Sequence, residues 1–313
     1  MSDSTSRAHL PMVWLPFDPA VLGEVPPGLR YDVVVPAPGE PLPPSAAEVE
    51  FYVPPYRFAD VDSEILPDLP QLRVVQTMTA GVEHVRGHLP VGVTLCNGRG
   101  VHDASTAELT LALILASLRG IPNYVRAQES GTWLPEIRPS LADRRVLIVG
   151  YGQIGAAIEA RLVPFEVDVR RVARTAREGV AALEELPDLL PDADVVVLIV
   201  PGSASTRRLV DADFLARMKD GALLVNVSRG PVVDTDALLA ELESGRLWAA
   251  LDVTDPEPLP PDHRLWRAPN CLISPHVGGN STAMEPRAFR LVREQLQRYA
   301  VGEPLVNVMD GDL

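Results

Sequence analysis

The chain has 313 residues, 46% hydrophobic and 22% charged, which at roughly 100–200 residues per domain suggests two domains with a core each. It carries 28 basic against 42 acidic residues, a net charge of −14, and every basic residue but Lys219 is Arg. That balance argues against a nucleic-acid binder, whose affinity comes from phosphate neutralisation, and against a polybasic membrane anchor.

The N-terminal stretch MSDSTSRAHLPMVW lacks a basic flank followed by an apolar core, so no signal peptide is expected. Short apolar or β-branched runs follow at Val33–Val35, Val49–Val53, Leu72–Gln76 and Val91–Leu95, bounded by Pro, Gly or Asn, with a helical piece over Asp60–Leu69. They predict a small α/β domain. Next, Ser105-Thr106-Ala107-Glu108 leads into an apolar stretch that ends at Gly120 with Pro122 beyond, the start and stop signals of a helix. Being apolar almost all round, this helix is expected to be buried between layers, domains or subunits. Its longest apolar run, Leu109–Leu118, is too short to span a bilayer. Cys96 and Cys271 sit in no CxxC or Cys/His spacing, so two buried thiols, no metal and a reduced, cytoplasmic setting are expected.

From Arg145 the pattern becomes regular. Arg145–Val149 reads as a strand and runs into Gly150-Tyr151-Gly152-Gln153-Ile154-Gly155 and a helix over Ala156–Leu162. Further strands are predicted at Val167–Val172, Asp194–Val200, Leu223–Val227, Ala249–Val253 and Cys271–Ser274, with helices at 183–190, 211–218 and 235–244. Six strands with helices between them describe a doubly wound parallel sheet. A last helix over Met284–Val301 is expected to pack back onto the first domain.

A GxGxxG alone is weak, but this one follows a strand and opens a helix, as a dinucleotide site requires. Gly150 permits the turn, Gly152 lets backbone approach a pyrophosphate, and Gly155 allows close helix–strand packing. About twenty residues on, where an acid would hold the ribose of NAD, stands Ala173-Arg174-Thr175. No carboxylate repels a 2′-phosphate there, Arg174 offers a planar donor fork, and Thr175 adds a hydroxyl. NADP(H) is therefore the preferred cofactor, with NAD(H) the other. The bland alternatives are a solvated arginine surface, or Arg174 stacking on the adenine of NAD.

Three more segments each place a polar group just past a predicted strand: Arg229 in NVSRG, Glu257 in DVTDPEP and His276 in SPHVGG. Ligands of open α/β sheets bind outside the strand carboxyl ends, so the three converge if the sheet forms. Arg binds a carboxylate in bidentate fashion, His carries a proton near neutral pH, and a neighbouring Glu orients the imidazole and favours its charged form. Separately they read as a helix cap, a solvated loop charge and a core histidine; their joint placement is what argues for chemistry.

With VGYGQIG, LLVNVSRGPVVDTDALLAEL, ALDVTDPEPLP, SPHVGG, TAGVEHV and GVHDASTAE, the chain resembles the D-isomer-specific 2-hydroxyacid dehydrogenases over nearly its whole length. The resemblance implies a Rossmann-type domain, residues 100–283, inserted into a smaller flavodoxin-like α/β substrate domain, residues 1–99 plus 284–313, with a cleft that closes over substrate. It implies Arg229 as substrate anchor, His276 as acid/base and Glu257 as its partner. Thr79, Ala80, Gly81 and Val82 would offer amides to the substrate carboxylate. Thr106, Gln153, Ile154, Pro201, Thr206, Val227, Asp252 and Gly278 would surround the cofactor. The expected reaction is hydride transfer from NAD(P)H to C2 of a small 2-oxo monocarboxylate, glyoxylate or hydroxypyruvate favoured, in a homodimer. The alternatives are a dinucleotide-sensing corepressor-like protein and a phosphite-type dehydrogenase.

Overall fold

The computed structural model describes residues 10–57 and 61–309, in two compact units. One holds the described residues up to Val101 and from Thr282; the other is His102–Ser281. The expected start of a helix at Asp60, and the N-terminal stretch before Leu10, lie outside the described residues.

In the first unit β1 (Met12–Leu15), β2 (Arg30–Val33), β3 (Val49–Tyr52), β4 (Val74–Gln76) and β5 (Thr94–Cys96) form a parallel sheet in the order β2-β1-β3-β4-β5. This is the flavodoxin-like order. Strand β1 is not among the predicted strands: four residues, MVWL, buried along their whole length and lacking alternation, carry no periodicity to read. The expected strand at 33–35 is displaced to Arg30–Val33, because the register Met12↔Arg30 to Leu15↔Val33 selects the residues that pair. The Met284–Val301 helix belongs to this unit and buries Ala288, Val292 and Leu296 in a core with Val13, Leu15 and Phe51. Its fully buried Gln295 donates to Gln76 Oε1 at 2.6 Å, so neither amide is left unpaired in that core.

The second unit is a seven-stranded parallel sheet. Its strands are β6 (Arg145–Val149), β7 (Asp168–Ala173), β8 (Ala181–Ala182), β9 (Val195–Leu198), β10 (Leu223–Asn226), β11 (Trp248–Leu251) and β12 (Cys271–Ile273), in the order β12-β11-β10-β9-β6-β7-β8. The sequence predicts six strands; the seventh, β8, is two residues long and has no apolar run to mark it. The order reverses between β6 and β9, the switch point of a Rossmann-type sheet. The central strands are buried on both faces, as helices cover each side.

The Asp103–Leu118 helix packs Leu113, Ile114 and Leu118 into a core shared with Ile158 and Leu162 of the Gln153–Leu162 helix. It ends before Gly120, at φ +66°, and the chain re-enters a helix, Ile121–Glu129, that the sequence does not announce. There Pro122 reads as a stop, but proline is equally at home in a first turn, where its missing N–H is not needed. No single helix among the described residues is long and apolar enough to cross a membrane; those two pass such a test only together, bent by 65°.

Candidate active site

Strands β10, β11 and β12 are neighbours, so the chain leaving their carboxyl ends is brought together by the sheet itself. After β10, Asn226 is buried and builds the turn: its Oδ1 accepts from the Ser228 amide at 3.1 Å and hydroxyl at 2.7 Å, and its Nδ2 donates to the Arg229 carbonyl at 3.0 Å. Arg229 leaves this turn extended, its Nη1 donating to the Ser228 carbonyl at 2.7 Å. Gly230 then passes directly against the chain after β11. A Cβ on it would lie 1.8 Å from the Thr254 carbonyl oxygen. Gly230→Ala is therefore expected to lose at least about 3 kcal/mol of stability, a drop in Tm of roughly 6–12 °C, measured by calorimetry. A variant as stable as wild type would show that the two segments separate at no cost.

After β11 comes Asp252, 3% exposed. Its Oδ1 accepts from Ser274 Oγ at 2.6 Å and the Val277 amide at 2.9 Å, its Oδ2 from the Gly278 amide at 2.8 Å, and its carbonyl from the His276 amide at 2.7 Å. Its carboxylate thus holds the loop after β12, where His276 sits at φ +51°, a conformation costly for a side-chain-bearing residue and kept only by such anchoring. Thr106 Oγ1 donates to the Gly278 carbonyl at 3.3 Å, so Thr106, Asp252 and Gly278 do meet.

His276 Nδ1 lies 2.5 Å from Glu257 Oε1. Burial opposes ionisation of Glu257. The hydrogen bond and charge of His276, the Thr254 amide and the field of Arg229 outweigh it and hold the carboxyl below its usual range. A depressed carboxyl keeps its pairing above that lowered value and loses it as pH falls through it. The pair should then persist into mildly acid solution. Glu257→Gln cannot gain the proton that breaks the pair, so it is expected to lower the plateau of kcat/KM and remove its acid fall, read between pH 4 and 9; an unchanged profile would separate Glu257 from the reaction.

The dinucleotide segment is built across the switch point. Gly150, at φ +109°, donates its N–H to the Val172 carbonyl at 2.9 Å, and a Cβ there would lie 2.3 Å from the Ile199 carbonyl oxygen at the end of β9. Around Gly152 the space is open, and no side chain caps the helix it begins. Gln153, Ile154 and Gly155 form its first turn. Open space at an uncapped helix N-terminus fits a pyrophosphate. Val227 is buried and its amide donates to the Leu198 carbonyl. Pro201 is exposed and its carbonyl takes the Thr206 hydroxyl at 2.7 Å, which shapes that loop.

At the end of β7, Ala173 pairs with Ala182 while Arg174 and Thr175 are exposed. The four arginines of this stretch are not equivalent. Arg170 pairs with Asp168, Arg171 with Glu159, and Arg177 donates to the Tyr151 carbonyl; Arg174 has no partner among the described residues. In the first unit, Thr79–Val82 is propped by Asn97 Nδ2 on the Ala80 carbonyl at 2.9 Å and by the Gly98 amide on the Thr79 carbonyl at 2.7 Å. Sequence reasoning misses Asn226, Tyr151 and Glu159. Asn226 carries a signal in its place one turn before Arg229; Glu159 carries none, since its partner lies twelve residues away.

Residues 111–278 match the family described as D-isomer specific 2-hydroxyacid dehydrogenase, NAD binding domain. This chain belongs to that family. It is 34% identical over 256 residues to glyoxylate reductase/hydroxypyruvate reductase from Homo sapiens, covering 75% of this chain and 76% of that one. The fold is shared with the family member from Xanthobacter autotrophicus Py2 solved with NADPH and MES, at TM-score 0.81 and 30% identity over 97% of this chain and 98% of that one. It is also shared with the NADPH-dependent glyoxylate/hydroxypyruvate reductase from Sinorhizobium meliloti solved with NADP and malonate, at TM-score 0.79 and 27% identity over 96% and 97%. The chain is thus a 2-hydroxyacid dehydrogenase, an oxidoreductase that uses a nicotinamide dinucleotide on small 2-hydroxy or 2-oxo acids.

Proposed function

We propose that this dehydrogenase reduces a small 2-oxo monocarboxylate, glyoxylate or hydroxypyruvate first, with NADPH as preferred donor and His276 as proton donor. The observation that carries the reading is the His276–Glu257 pair at 2.5 Å, coupled to Arg229, at the carboxyl ends of three adjacent strands. When bound, the dinucleotide supplies the hydride that reaches C2. Arg229 binds the carboxylate and polarises the adjacent carbonyl, and the amides of Thr79–Val82 are assigned to the same carboxylate. As the carbonyl electron pair moves onto oxygen, His276 gives it a proton from Nε2, the ring nitrogen not facing Glu257. Glu257 stabilises the imidazolium before that transfer.

The preference for NADPH rests on Arg174, and is supported by the relatives solved with the phosphorylated cofactor. Initial rates with NADPH and NADH against glyoxylate, hydroxypyruvate, pyruvate and bulkier 2-oxo acids test the reading. Arg174→Ala is expected to weaken NADPH about tenfold or more and NADH little, the loss of one charge-assisted fork; equal effects would refute the phosphate contact. Binding of NADPH with no turnover on any 2-oxo acid would replace the enzyme by a dinucleotide sensor.

We assign the protein to the cytoplasm and to a homodimer. Trp133 and Ile137 are 92% and 102% exposed, near the half-exposed Ile121 and Val125 in sequence, an apolar surface suited to a second copy. Light scattering should give about twice 33.9 kDa.

A further inference from the structure

Arg174 stands on a segment that no apolar core holds: residues 174 to 179 are all exposed. What fixes it is a short chain of polar contacts. Arg177 and Val180 close a tight turn by exchanging backbone hydrogen bonds at 3.0 and 2.8 Å. From the base of that turn the Arg177 side chain reaches back to the glycine-rich turn, where Nη2 donates to the Tyr151 carbonyl and the guanidinium lies 5.7 Å from the Tyr151 ring centroid.

The ring is itself pinned. Its hydroxyl donates to the carboxylate of Glu159, which is buried and also takes Arg171 Nε at 2.7 Å, while the Arg171 guanidinium lies 5.7 Å from the same centroid. Beside the ring is a cavity of about 420 Å³, lined in part by the small side chains of Ala156 and Ala160 and by Gly179. Tyr151 packs against the apolar cluster of the second unit on its other side, and the two guanidiniums and Glu159 fix its hydroxyl and its open face. A planar cation over an aromatic face that also donates to a carbonyl fixes both distance and tilt, which an ammonium cannot.

We propose that Tyr151 and Arg177 are positioning residues for cofactor choice: they tie the arginine-bearing segment to the glycine-rich turn and so hold Arg174 where a 2′-phosphate is read. This rests on the assignment of Arg174 to that phosphate. The contact is neutral toward the unphosphorylated cofactor, which has no group for Arg174 to meet. Loosening the clamp therefore weakens one dinucleotide and spares the other.

Dissociation constants of NADPH and NADH, read from cofactor fluorescence, test this in wild type, Tyr151→Leu, Arg177→Lys and Arg177→Ala, with Arg174→Ala beside them. Tyr151→Leu leaves the charge unchanged, and Arg177→Lys keeps the charge but loses the planar fork. Each is expected to weaken NADPH about tenfold and NADH less than twofold. If both keep the wild-type ratio while Arg174→Ala loses it, the clamp is overturned and the phosphate assignment stands. If Arg177→Ala loses the preference and Arg177→Lys keeps it, Arg177 acts as a plain charge, and the clamp is again wrong. Equal weakening of both cofactors would mean general damage to the glycine turn and also overturns it. Equal affinities in wild type would remove the cofactor assignment and the clamp together.

Discussion

His276→Gln is expected to lower kcat/KM for glyoxylate reduction by roughly 10³-fold, near the middle of the range of general acid catalysis. Glutamine can occupy the site and hydrogen-bond to Glu257, but it has no proton to yield at neutral pH. Hydride addition would then leave an alkoxide for water to protonate. Because the backbone of His276 and of the next two residues is held by Asp252, the loop should keep its shape in the variant. NADPH affinity should therefore be close to wild type, with the loss in kcat. Turnover within tenfold of wild type would take the proton away from His276.

Arg229→Ala is the second large effect, and it should take a different form. Truncating one side of a hydrogen-bonded charge pair costs about 2–5 kcal/mol, a loss of roughly 30- to 5,000-fold in kcat/KM. The loss should fall on KM as well as kcat, since the same guanidinium is proposed to take both the carboxylate and the carbonyl. Arg229→Lys is expected to recover little, because a point charge cannot make two parallel bonds to a carboxylate. Steady-state kinetics on glyoxylate and hydroxypyruvate decide the matter. Full recovery by lysine would reduce Arg229 to an electrostatic role, and wild-type rates in Arg229→Ala would remove it from the reaction.

Much of the second unit is legible in the residues alone. Gly150, Gly152 and Gly155 are spaced by the geometry of a strand-to-helix turn, which is local. Arg229, Glu257 and His276 each lie within a few residues of a strand end, so finding the strands is enough to align them. The first unit is harder. Strand β1 is an interior strand, buried on both faces, so it lacks the alternation of a half-exposed strand. Strand β8, in the second unit, is too short to have a pattern at all. The helix after Gly120 is hidden because proline marks both ends of helices.

Composition and motif spacing by themselves determined the dinucleotide turn, the absence of an acid at the ribose position and the order of the three polar groups. Each of these depends on residues a few positions apart. Tertiary structure alone decided which arginine is available for a phosphate, since Arg171 is taken by Glu159 from the neighbouring helix and Arg177 by the turn at Tyr151. It alone showed that Asp252 anchors the His276 loop, and that Gly230 is fixed by a backbone 24 residues further along. The reason is physical. A strand end or a glycine turn is set by neighbours along the chain, whereas the partner of a buried charge is set by which segments the sheet lays side by side.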